Sequence, residues 1–309
     1  MLFLDADLGV LGSGSANMRF GSKIYSGNSG TQVITNNVNN DLIWIKVDDV
    51  GTHRITDAVR GVDKSLQPNL TTIEAASSGV TALDIGNFTV DGGTVNDAGK
   101  SYNSFAWNES QNFLDIVTFS GTEPTPQTVN HNLGAEPKMM IFKSRDQAAG
   151  WWVYHTSLGA TKYMFLNTNS TPSTSSAAFN NTAPTSTQFT VGNSTANAGD
   201  MVAYLFGEVA GLSSFGTYTG TGTTTIQDID CGFTPSLAIV KSVDGSEWFM
   251  MMSNGKTVYA NTTDSSFNSA LHRANLSATG FSVGTGGNND RGDLNTLGTQ
   301  YIYAAWKGV

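Results

Sequence analysis

Side chains able to bind or catalyse gather most densely between Pro137 and His155, where Lys143 and Arg145 precede the adjacent pair Trp151 and Trp152. Cations beside flat aromatic rings are suited to recognising a saccharide or a protein, since the ring is apolar on its faces and the indole N–H donates at its edge. A related stretch, Pro235 to Met251, carries Trp248. Trp151, Trp152 and Trp248 are therefore the candidate binding residues. Successive residues of a strand point to opposite faces, so at most one of Trp151 and Trp152 is expected in the core. The outward ring then either serves recognition or packs against a neighbouring module or subunit.

Catalytic and metal chemistry finds little support. His53, His131, His155 and His272 occupy unrelated contexts and form no His-x-x-x-His spacing. Acids such as Asp48, Asp49 and Asp244 are scattered through turns, whereas glycoside cleavage needs two carboxylates across one cleft. Arg291-Gly-Asp293 lies in a Gly/Asn-rich loop that reads as a plain turn, and the nearby Asp290 and Asp293 do not recur at a calcium-binding period. The expectation is a non-enzymatic protein with no catalytic residues, no metal and no cofactor.

Composition narrows the partners. The 309 residues carry a net charge of −9, and only 13% are charged. An acidic chain is a poor ligand for phosphate backbones, so no nucleic acid is expected. No apolar run reaches the ~18 residues of a membrane span, and Asp5 and Asp7 interrupt the apolar N-terminus, so neither membrane insertion nor a signal peptide is expected. A soluble protein made in the cytoplasm of the cell that produces it follows. Cys231 is the one cysteine, read as a small buried residue.

The elements that position these residues come in three copies. An apolar strand ends at Lys46, Lys143 and Lys241, 97 and 98 residues apart. Each lysine is read as a solvent-facing strand end. Each strand is preceded by an aromatic and a small polar turn (Tyr25-Ser-Gly, Phe119-Ser-Gly, Tyr218-Thr-Gly) and followed by a segment starting at His53, Trp151 or Trp248. Further on come Asn69, Asn167 and Asn261, then two closing strands. Abundant Gly, Asn, Ser and Thr suit turns and strand faces. The fold expected is all-β: a tandem array of three related antiparallel β-sandwich-like modules, 24–110, 111–210 and 211–309, joined by short linkers. Residues 1–23 form an extended N-terminal arm, whose Leu2, Phe3, Leu4, Leu8 and Leu11 are expected to anchor it to another protein.

The motifs Tyr218 to Gly222, Gly232-Phe-Thr-Pro235, Ile141-Phe-Lys-Ser-Arg145, Phe189-Thr-Val-Gly192 and Tyr303-Ala-Ala-Trp-Lys307 resemble a family of tail-fibre-like virion proteins of marine bacteriophages, those of cyanophages and their relatives. The resemblance spans roughly residues 24 to 309, and module 1 departs most, lacking the Phe-x-Pro turn. It implies a structural protein on the virion surface, a tail fibre or host-adhesion protein acting as a homo-oligomer, commonly a trimer. Its partners would be other virion proteins of tail or capsid and a host cell-surface glycan or protein. Two alternatives stand beside it: a capsid decoration or head-fibre protein gripping the shell by the arm, and a polysaccharide depolymerase.

Overall fold

A computed structural model of the chain describes residues 18–77, 79–268, 274–285 and 294–309. Leu2, Phe3, Leu4, Leu8 and Leu11 of the expected arm lie outside the described residues, as do His272, Asp290 and Arg291-Gly-Asp293. The described residues are almost entirely antiparallel β, arranged as three sandwiches of one topology.

Each sandwich has a large sheet whose order is opening, closing, lysine and seam strand. The opening strands are Phe20–Ser26, Leu114–Ser120 and Ser213–Thr219. The closing strands are Ser101–Trp107, Asp200–Phe206 and Gln300–Trp306. Between closing and seam strands lie the lysine strands, Leu42–Val47, Met139–Ser144 and Leu237–Ser242. The seam strands are His53–Asp57, Trp152–His155 and Phe249–Met252. The first opening strand thus begins at Phe20, inside the segment that the sequence assigns to the arm. A small sheet faces each large one and pairs Thr31–Asn39 with Val80–Asp91, Gln127–Asn130 with Gln188–Val191, and Gln227–Asp230 with Gly280–Val283. Modules 2 and 3 extend the large sheet beyond the seam strand by Lys162–Phe165 and Lys256–Tyr259. Module 1 keeps at that place only the isolated bridges Ile55↔Leu66 and Ser65↔Ala75.

The recurrent Ser/Thr-Gly after each aromatic has a steric cause. A Cβ on Gly27, Gly121 or Gly220 would stand 2.2, 2.2 or 2.1 Å from the carbonyl oxygen of Asp97, Asn197 or Thr296. The hairpin therefore passes too close to the loop before the closing strand for any larger residue.

Two kinds of core explain why the lysine strands are apolar without alternation. One face of each large sheet packs on its own small sheet, as Phe142, Met201, Ala203 and Leu205 do on Phe189 and Val191. The other face packs on the other modules. Trp44, Phe105 and Trp107, Ile141, Val202 and Tyr204, and Ile239, Ile302 and Trp306 form one common cluster. Along Asp200–Phe206, odd and even residues thus serve different cores, as a strand's period of two dictates. The last residues of the three closing strands meet in a triad of rings, with centroids 5.5 Å apart for Trp107–Trp306, 6.0 Å for Trp107–Phe206 and 5.4 Å for Phe206–Trp306. The tandem array is closed into a ring with pseudo-three-fold symmetry.

Candidate functional site

The chemistry-bearing side chains converge on the three seams of this ring. Asn69, Asn167 and Asn261 place one residue at each seam, their Oδ1 atoms accepting from the backbone N–H of His53 at 3.3 Å, Trp151 at 2.9 Å and Trp248 at 2.9 Å. The residue so placed reaches the preceding module. Trp151 Nε1 donates to Gln67 O and Leu70 O of module 1, both at 3.0 Å. Trp248 Nε1 donates to Phe165 O of module 2 at 3.0 Å. His53 closes the circuit, its Nε2 lying 3.2 Å from Thr262 O of module 3. Trp44 Nε1 donates to His53 Nδ1 at 2.9 Å, so the proton sits on Nε2 and that nitrogen donates to Thr262. Burial, and after it the charge of Lys46, pushes the His53 pKa down to about 3.

Trp152 points the other way, into the sandwich of module 2, against Tyr163 at 4.6 Å and Phe165 at 4.7 Å. Exposure of Trp151, Trp152 and Trp248 is 0, 6 and 2%. Neither ring of the adjacent pair is outward, because both faces of the large sheet are covered, one by its small sheet and one by its neighbours. Buried in this way they present no face to a ligand: Trp151 and Trp248 hold modules together, and Trp152 fills the core of module 2. That matches the other reading of the outward ring, packing against a neighbouring module.

The lysines are corrected likewise. Lys46, Lys143 and Lys241 are 0–1% exposed. Each ammonium turns back onto carbonyls of the turn that follows: Lys46 Nζ donates to Val47 O and Asp49 O, Lys143 Nζ to Ser144 O and Gln147 O, and Lys241 Nζ to Ser246 O. Burial brings all three pKa values down to about 8. The cation caps the carbonyls of the turn that follows its strand.

Further groups differ from seam to seam. Between modules 1 and 2, Asp57 Oδ2 accepts from Arg60 Nε at 2.5 Å and from the Tyr204 hydroxyl at 2.8 Å. Glu74 bridges Arg60 and Arg145 at 2.9 Å each. Although burial opposes it, these two guanidinium groups hold the Glu74 carboxyl below its ordinary range. Here two carboxylates do approach one another, yet both are clamped by arginine, an arrangement suited to locking a seam rather than to transferring a proton. Between modules 2 and 3, His155 Nε2 donates to Tyr303 O at 3.0 Å while its Nδ1 accepts from Ser157 N. Burial lowers the His155 pKa to about 4. Between modules 3 and 1, Asp48 accepts from Lys256, from Ser266 Oγ at 2.5 Å and from Asn103 Nδ2 at 3.1 Å. His131 lies away from the seams, where its Nε2 holds Thr185 O at 3.1 Å.

Among the described residues no group of three or more His, Cys, Asp or Glu side chains is arranged to hold a metal ion. No helix there is long and apolar enough to cross a membrane. No curated protein and no solved structure matches the chain. Residues 16–308 match a family described as a domain of unknown function, DUF7483. The match runs through all three modules and their common core, and the chain belongs to that family.

Proposed function

We propose that the chain is a non-enzymatic structural protein of a bacteriophage particle, displayed on the virion surface as a tail fibre or host-adhesion head. The observation that carries this reading is the closed ring of three modules, locked by buried hydrogen bonds at every seam, with both ends of the described chain at one pole. Phe20 and Trp306 lie there with ring centroids 6.3 Å apart, beside the aromatic triad. A rigid head held at one pole leaves its sides and opposite pole free for contact. Three related faces on one body gain avidity when each contact is weak, by ~10²- to 10⁴-fold when the spacing fits.

Its partners on this reading are other virion proteins and a host-surface glycan or protein. If the chain also forms the homotrimer that the resemblance implies, the contact must come from outside the ring, because modules of the same chain already occupy all three seams. A capsid decoration or head-fibre role is the second reading, favoured by the pseudo-three-fold axis, which fits a three-fold position on a shell. Antibody-labelled particles viewed by electron microscopy test both. Label on tail tips supports the first and label on heads the second; particles without label overturn both.

A further inference from the structure

The three seams are not equally closed, and the difference is local. On the opening strand, Ile116 and Phe215 stand opposite Tyr204 and Ala304 of the closing strand, and both are buried in the common core. Their counterpart in module 1, opposite Phe105, is Ser22. On the closing strand, Val202 and Ile302 are buried in the same core, and their counterpart is Asn103. Module 1 thus has small polar side chains at two positions where both other modules have apolar ones. The facing seam strand differs too. Where Asp57 reaches Tyr204 and His155 reaches Tyr303, module 3 ends in Met252.

The result is a groove of about 310 Å³ between modules 3 and 1. Its size is at the lower end of the ~300–1,000 Å³ of small-ligand sites. Asn254 Nδ2 donates to Asn103 Oδ1 at 3.2 Å, Asn103 Nδ2 donates to Asp48 at 3.1 Å, and Asn254 Oδ1 accepts from Lys256 N at 3.0 Å. These bonds fix both amides and leave the second N–H of Asn254 and a second lone pair on Asn103 Oδ1. Ser22 and Ser253 place hydroxyls 3.5 Å apart across the seam. Phe105 and Met252, 1 and 4% exposed, lie beneath the floor, Ile24, 48% exposed, supplies an apolar wall, and Lys23 belongs to the opposite face of the opening strand, the side of Gly21 and Tyr25.

We propose that this groove binds one sugar unit of a glycan. Neighbouring donors and acceptors on rigid amides and hydroxyls match the vicinal hydroxyls of a pyranose, and the apolar wall matches its C–H face. The proposal deepens the adhesion reading and rests on it for the source of the glycan.

The full chain, titrated separately with glucose, galactose, N-acetylglucosamine and glucuronate and followed through the side-chain amide signals of Asn103 and Asn254 by NMR, tests it. At least one sugar should shift both amides and saturate in the millimolar range. Ser253→Trp, at an exposed turn, should weaken that binding at least tenfold, while Ala58→Trp, the equivalent turn of module 1, should leave it unchanged. Silence of both amides with all four sugars, or binding that survives Ser253→Trp, overturns the proposal. Sugar binding by the wild type together with normal particle adsorption by Ser253→Trp keeps the groove and overturns the adhesion reading. Adsorption blocked by antibody against the ring, with both amides silent, keeps the adhesion reading and overturns the groove.

Discussion

The indole nitrogen of Trp248 lies 3.0 Å from the carbonyl oxygen of Phe165, a hydrogen bond between modules 83 residues apart in the chain. Trp248→Phe keeps most of the ring and removes this bond. The expected loss is about 0.5–1.5 kcal/mol, the net worth of one hydrogen bond, because Phe165 O keeps Thr168 N at 3.4 Å. Trp248→Ala removes the packing as well and should lose about 3–5 kcal/mol. Urea denaturation of the two variants beside the wild type measures both, and a Trp248→Phe variant as stable as the wild type would show that the indole N–H contributes nothing.

Asn167 supplies the acceptor that holds Trp151 in register. Asn167→Ala should destabilise by about 1–3 kcal/mol, and Asn167→Asp, which keeps the acceptor, by less. At Asn261 the Asp variant should lose more than at Asn167 by thermal melting, since Asn261 Nδ2 also donates to Glu247 Oε2 and a carboxylate there would face another.

Acid should open the ring. His53 and His155 have folded pKa values of about 3 and about 4, both set first by burial, against ~6.5 in the unfolded chain. Between those limits the unfolded state binds more protons, so their contribution is complete above about pH 6.5 and is lost as pH falls towards 4. A proton on either Nδ1 would also face a donor, Trp44 Nε1–H or Ser157 N–H. Each ring accounts for on the order of 3 kcal/mol over the full range. The stability difference between the wild type and His155→Gln should shrink as pH falls from 7 through 6 and 5 to 4.5, while Glu109, whose carboxyl burial raises to about 7, pulls the wild-type profile the opposite way; a difference that does not change with pH would contradict the buried neutral ring.

The modules should not melt one by one. Because Trp107, Phe206 and Trp306 share one cluster with the facing sheets, calorimetry should show one transition whose calorimetric and van't Hoff enthalpies agree. Residues 111–210 expressed alone expose Ile141, Val153 and Tyr204 on one face and should aggregate or bind a hydrophobic dye.

The repeat, the strand types and the all-β fold are readable in the sequence because each module carries the same aromatic-Gly turn, lysine and asparagine. The asparagines are legible as a recurrent feature, and the alignment that sets His53 opposite Trp151 and Trp248 names the three seam residues. What the alignment cannot give is the second covering of the large sheet. That covering joins residues as distant as His53 and Thr262, and a period-two pattern records that a face is apolar, not which module covers it. Lys143 is buried instead of solvent-facing, and Trp151 packs on the preceding module, for this reason. A lysine at a strand end normally reaches water, and one of two adjacent tryptophans is normally wet. The groove at Ser22 and Asn103 had a signal, polar residues where the other copies are apolar, but reading it requires the register of the opening and closing strands.

The bond from His53 to Thr262 joins the first module to the last, so the ring has an order in the chain but none in space. Any linker can serve as the break. A circular permutant that links the ends beside Phe20 and Trp306 and starts between Asn108 and Asn112 would hold the same three seams. Duplicated modules arranged in this way can be cyclically permuted in the gene without changing the body they build, and each seam becomes an independent position at which one copy can diverge while the other two hold the shape.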